Sequence, residues 1–228
     1  MAEGLGVIFD VDGVLIDSYQ AHFESWRLLA AEIGRTCSEA EFVRGFGRTS
    51  RENIVEQWSD RAWTAEEVRQ LDDRKEYLYR EIIRQQFPGM PGAAELIRSL
   101  HDAGFRIAVG SSGPPENIQL VIECLGVANI INSRITARDV SRGKPDPQVF
   151  QLAARALGLS PNACCVVEDA PAGIQAAHAA GIVCAGLAST GRTLQDLEHA
   201  DCVVVSLHEL NPAKIREVIA AGIRPQSK

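Results

Sequence analysis

From Phe105 to Ser206 the chain repeats one pattern: a short apolar run without polar alternation, followed by a helical segment that ends at glycine. The runs are RIAVGSS (106–112), CCVVEDA (164–170), IVCAGL (182–187) and DCVVVS (201–206). A strand apolar on both sides must be covered on both faces, which is the situation of a strand in a parallel sheet wrapped by helices. The helical segments 93–103, 116–125, 147–157 and 173–180 run into Gly104, Gly126, Gly158 and Gly181. Glycine is favoured just past a helix end because it accepts a left-handed backbone at no steric cost. GVIFD (6–10) supplies one further strand. The expected fold is therefore α/β, with a Rossmann-like parallel sheet.

Residues 19–87 interrupt that pattern with consecutive helices and no credible strand. His22, Phe23, Trp26, Leu29 and Ile33 fall at helical spacing, and 64–86 is a long amphipathic segment opened by the capping box Thr64-x-x-Glu67. PGMPG (88–92) marks the return to the sheet. Residues 1–18 and 88–228 should thus form the core, with 19–87 an inserted helical cap. An insertion after the first strand sits where open α/β sheets bind their ligands, so a lid is expected. Asp17 and Ser18 are read as its hinge, Ser18 as the N-cap of its first helix, and the tail 224–228 as frayed.

A chain of 228 residues has room for such a core and insertion. Its formal charge of -7 excludes a broad nucleic-acid footprint, which needs clustered Lys and Arg, but leaves open the binding of one small anion in a cleft. No apolar stretch approaches the roughly 20 residues of a bilayer span, and the N-terminus lacks a secretory signal. A cytoplasmic monomer without membrane contact is expected. The six cysteines show no CxxC spacing and are read as small buried hydrophobes. Gly45-x-Gly47 lacks a third glycine and a preceding strand, so it is not a dinucleotide loop.

Parallel strands deliver their C-terminal residues to one edge. Asp10 and Asp12 finish the first strand, Ser111 and Ser112 the second, and Glu168 and Asp169 a later one, while the loop SRGKPDP offers Lys144. Four carboxylates cannot all remain ionised side by side without a cation, and in the absence of a His/Cys cluster a hard, oxygen-liganded ion is inferred, most simply Mg2+. A phosphate monoester would complete its shell, with Lys144 on a phosphate oxygen and Ser111 donating a hydrogen bond. Asp10 could then attack phosphorus, and Asp12 serve as acid and then base. Plainer readings stand beside these. Glu168 and Asp169 could cap the following helix, Ser111 and Ser112 could cap the helix before Pro114, and Lys144 could be a solvated loop lysine.

Together, Asp10-x-Asp12-Gly13-Val14-Leu15-x-Asp17-Ser18, Ser111, Lys144-Pro145-x-Pro147 and Glu168-Asp169 with Ala172-Gly173-Ile174 resemble the four ordered motifs of the haloacid dehalogenase superfamily. The likeness is to its β-phosphoglucomutase-like branch and spans nearly the whole chain. It implies that Asp10 is a nucleophile forming an aspartyl-phosphate, that Asp12 is the general acid/base, and that Ser111 and Lys144 bind the phosphoryl group. It implies that Asp10, the Asp12 backbone carbonyl and Asp169 ligate Mg2+ with help from Glu168. Dehalogenases lack the second Asp, so that activity is disfavoured. His22, Trp26, Arg51 and Lys75 resemble cap positions that meet substrate, although their spacing equally suits a helical core and surface charges. After Ser111 the mutases carry a Lys-Asn pair, whereas this chain reads Gly113-Pro114-Pro115-Glu116-Asn117. The expected function is a Mg2+-dependent phosphatase of a small phosphorylated metabolite, a sugar phosphate for preference. A phosphomutase and a non-catalytic phosphate-binding regulator are the alternatives.

Overall fold

Strands β1 (Gly6–Phe9), β2 (Arg106–Gly110), β3 (Ser133–Ile135), β4 (Cys164–Glu168), β5 (Val183–Leu187) and β6 (Cys202–Val204) pair in one sheet in the order β3-β2-β1-β4-β5-β6. Every pairing is parallel. The computed structural model describes residues 4–45, 49–189 and 191–223. The expected fraying of 224–228 lies outside them, as does Gly47 of the rejected dinucleotide loop.

The sheet is apolar because both its faces are covered. Val7, Ile8 and Phe9 have no exposed surface, nor have Cys164 to Val167. On one face Ile8, Ala108, Val166 and Cys184 pack with Phe150, Ala153, Ile174 and Ala177 from the surrounding helices. Each such large side chain contributes about 1.5–3 kcal/mol on burial. Strands end earlier than their apolar runs suggested: Ser111, Ser112, Asp169 and Ala170 lie beyond the ladders, in the loops that follow. β3 was not foreseen. It is three residues long, and only Ile135 of it is buried.

The chain separates into two compact units, one running to Asp17 and resuming at Gly89, the other Ser18–Pro88. The expected boundaries lie one residue from these. The second unit consists of α1 (Tyr19–Glu32), α2 (Glu39–Gly45), α3 (Ser50–Gln57) and α4 (Ala65–Gln85). Trp26, Leu29, Phe42, Ile54, Trp58 and Leu78 form its core. Thr64 and Glu67 complete the capping box at the start of α4. Ser18 does occupy the N-cap position of α1, but its side chain makes no capping hydrogen bond.

The first unit adds α5 (Ala93–Asp102), α6 (Pro115–Cys124), α7 (Gln148–Ala156), α8 (Pro171–Ala179) and α9 (Pro212–Ile223). No helix among the described residues is long and apolar enough to cross a membrane. Four cysteines are buried as expected, Cys202 is half-buried, and Cys124 is exposed. Cys124 is the last residue of α6, beyond the buried residues Asn117, Ile118, Leu120, Val121 and Ile122.

Candidate active site

β1 lies between β2 and β4, with Phe9 level with Val109 on one side and Val167 on the other. Asp10 follows directly, its N–H donating to the Val167 carbonyl at 3.0 Å, so its carboxylate emerges between the ends of both neighbours. Glu168 closes β4 and Asp169 begins the next turn. Each of Asp10, Glu168 and Asp169 offers one oxygen within 4.8 Å of the others. The loop before α7 brings the Lys144 ammonium into the same place, where it donates to Asp10 Oδ1 and Glu168 Oε1 at 2.6 Å each. Lys144 is therefore a buried, doubly paired cation and not a solvated loop lysine.

Glu168 is anchored at both ends. While Oε1 receives Lys144, Oε2 accepts from the N–H groups of Asp169 and Ala170 at 2.8 Å each. The helix-entry reading of this acid thus holds alongside its place in the cluster, since it satisfies amides leading into α8. Two glycines make room for the acids. A Cβ on Gly173 would overlap the Glu168 carboxylate, and one on Gly13 would overlap that of Asp169. Gly13 also has φ 78°, a left-handed conformation that L side chains rarely adopt.

Burial pushes the Asp10 carboxyl up from 3.8 to about 7; the Lys144 ammonium opposes this and the Glu168 carboxylate adds to it. Burial also pushes Asp169 up to about 8, aided by Glu168 and Asp10 and opposed by Arg192. Burial works against the Lys144 ammonium, yet Asp10 and Glu168 outweigh it and leave that group more basic than an ordinary lysine. Three carboxylates thus share one ammonium, and neutrality is reached only by holding protons or a further cation. The donor set is all oxygen, with no His or Cys in it, which fits Mg2+ and not zinc.

Asp12 was expected to join this cluster, but its carboxylate is not one of the gathered three. By position 12 the chain has left the strand for a turn in which the Val11 carbonyl receives the N–H groups of Val14, Leu15 and Ile16. The side chain stands instead near the loop after β2, with Oδ2 4.0 Å from where a Cβ on Gly113 would lie. Ser111 is there too, buried, its Oγ accepting from the Gly113 N–H at 3.0 Å. Ser112 is exposed. Neither serine caps α6, whose N-cap is Pro114.

In the helical unit, His22 and Lys75 meet: Lys75 Nζ lies 2.9 Å from His22 Nδ1 and donates to Glu76 Oε1 at 2.9 Å, while Ser50 Oγ donates to that same oxygen at 3.0 Å. The His22 ring stacks on Tyr79 at 4.2 Å. Lys75 is thus buried among partners and is no ordinary surface charge. Arg51 is exposed and pairs with Asp72 at 2.7 Å. Trp26 is corrected to a packing residue: it is 4% exposed and meets Trp58 edge-on within the core of the unit. Sequence reasoning missed Ser189, whose hydroxyl donates to the Gly13 carbonyl at 2.7 Å, and Arg192, whose charge acts on Asp169. No spacing signal marks either, because both sit in an irregular loop.

The family model for haloacid dehalogenase-like hydrolases matches residues 5–181. Validoxylamine A 7'-phosphate phosphatase of Streptomyces hygroscopicus subsp. limoneus is 33% identical, over 89% of this chain and 94% of its own. The β-phosphoglucomutase of Bacillus subtilis (strain 168) is 30% identical over 93% of this chain and 98% of its own. The crystal structure of a β-phosphoglucomutase from Clostridium difficile superposes with a TM-score of 0.83 at 26% identity, covering 96% of this chain and 99% of that one. With the acid cluster, the lysine and the sheet order already in place, these matches make the chain a haloacid dehalogenase-like hydrolase of the β-phosphoglucomutase-like branch.

Proposed function

We propose that this enzyme is a Mg2+-dependent phosphatase of a small phosphorylated sugar or polyol, working through an aspartyl-phosphate on Asp10. The observation that carries the reading is the Lys144 ammonium held against Asp10 and Glu168 beside Asp169, a buried centre with more acid than base. Asp10, Asp169 and the Asp12 backbone carbonyl would hold Mg2+, with Glu168 steadying Lys144. The ion would supply charge that screens the repulsion between the Asp10 carboxylate and the phosphate it attacks.

An oxygen of Asp10 forms a bond to phosphorus as the ester P–O bond breaks, and the leaving alkoxide takes a proton from Asp12. Water, giving its proton back to Asp12, then attacks the same phosphorus and frees inorganic phosphate and the Asp10 carboxylate. Lys144 and the Ser111 hydroxyl bind the phosphoryl oxygens throughout. The standing of the Asp12 carboxylate apart from the three gathered acids supports its place in this scheme as a proton carrier. We assign substrate choice to His22, Lys75 and Arg51 of the helical unit.

A phosphomutase reading is supported by the relative of that activity, and disfavoured by Pro114 and Pro115, which open α6 with two prolines in place of the Lys-Asn pair of the mutases. The intact Asp10/Asp12 pair lends nothing to a non-catalytic regulator. The test is phosphate release from a panel of sugar and polyol phosphates with Mg2+. Turnover is expected, lost in Asp10→Asn and reduced about 10²–10⁴-fold in Asp12→Asn. Interconversion of β-glucose 1-phosphate and glucose 6-phosphate outpacing phosphate release would establish the mutase instead.

A further inference from the structure

We propose that Ser189 is a positioning residue for the metal centre, holding the Gly13 carbonyl so that Gly13 forms the wall against which Asp169 rests. Ser189 follows β5 by two residues and is half-buried. Its hydroxyl donates to the Gly13 carbonyl at 2.7 Å, across a separation of 176 residues. The loop carrying it is fixed on both sides. The Ala188 N–H donates to the Val204 carbonyl at 2.8 Å, the Ser189 N–H to Leu187 at 2.8 Å, and the Arg192 N–H to the Ser189 carbonyl at 2.9 Å.

At the other end of the strut, the Gly13 N–H donates to the Ile16 carbonyl at 2.9 Å, which sets the plane of the turn. The Gly13 Cα faces the Asp169 carboxylate so closely that a Cβ there would overlap it. A hydroxyl on the β5 loop thus fixes a peptide of the β1 turn, and that peptide fixes a carboxylate from the β4 loop. Three loops of different strands are tied together at the point where the acids gather. Partners one step behind metal ligands commonly matter to affinity because they hold the ligand in its binding orientation. The hydrogen bond also links the peptide directly after the Asp12 carbonyl to a fixed support.

The inference rests on the proposed Mg2+ role of Asp10 and Asp169. It is tested by calorimetric titration of the full chain with MgCl2, comparing wild type, Ser189→Ala and Ser189→Thr, with thermal unfolding recorded for each. Ser189→Ala should bind Mg2+ about tenfold more weakly while its Tm moves by no more than about 4 °C, and Ser189→Thr should restore affinity. Unchanged affinity in Ser189→Ala, or weakening that the threonine hydroxyl does not rescue, overturns the strut and leaves the phosphatase reading intact. Wild-type chain that takes up no Mg2+ overturns the metal assignment and the strut with it.

Discussion

Replacing Lys144 with methionine preserves most of the side-chain volume but removes a buried cation that donates to two carboxylates at 2.6 Å each. Breaking a buried pair from one side costs about 3–5 kcal/mol, because the partner left behind is a charge without compensation. For a chain of this length each kcal/mol moves Tm by roughly 2–4 °C, so the variant should melt about 6–20 °C lower, provided that the acids stay ionised. They need not. Burial already holds Asp10 at about 7 with the ammonium beside it, and the ammonium opposes that rise, so its loss drives the carboxyl higher still. A carboxyl with a raised folded pKa costs nothing below its unfolded pKa; its penalty grows as pH rises from there and is complete above the folded pKa, because between the two the folded state binds the extra proton. Thermal unfolding followed by circular dichroism in EDTA should therefore show a deficit for Lys144→Met that is larger at pH 8.5, where the variant's carboxyl begins to ionise, and small, under about 4 °C, at pH 5. An equal deficit at both values would show that the lysine stabilises by packing, for instance over Phe150 at 5.0 Å, and would refute the electrostatic argument.

Raised carboxyls at Asp10 and Asp169, near 7 and 8, mean that Mg2+ must displace protons; affinity should climb as pH rises from 6 to 8.5, with proton release measurable by calorimetry in buffers of different ionisation enthalpy. By the same sign, the metal-free chain should lose stability over the range from about 4 to 8, and Mg2+ should recover it. Gly173→Ala sets a methyl against the Glu168 carboxylate and should destabilise by about 1–3 kcal/mol, while Gly143→Ala, with open space around it, should be nearly silent in the same chemical-denaturation experiment.

The sheet could be anticipated because strands covered on both faces write themselves as unbroken apolar runs, as CCVV of β4 does. β3 could not, since Ser133 and Arg134 carry no such signature; its place is set by pairing with Ala108 to Gly110, and its Ile135 carbonyl receives the Ser111 N–H at 3.0 Å. Asp10, Glu168 and Asp169 were legible as acids at strand ends. The separate station of Asp12 was not, because it depends on a turn that begins at Val11. Lys144 needed the motif order to be singled out, since its two ion pairs join residues 134 and 24 positions away. Trp26 shows the opposite error: helical spacing puts core and surface-reading residues in the same pattern, and burial decides between them. Ser189 left no trace, since one hydroxyl in an irregular loop gains meaning only from a carbonyl 176 residues away.

The chain departs for its helical insertion and comes back at adjoining points. Ile16 bridges antiparallel to Gly89, and the Met90 N–H donates to the Leu15 carbonyl at 3.0 Å, so departing and returning segments are stitched before the excursion begins. Such a seam acts as a socket: a short linker from Asp17 to Gly89 could close it without shifting β1, and a foreign insert could be plugged in its place. The chemistry of the strand ends and the identity of the insert can thereby be inherited, or engineered, as separate modules.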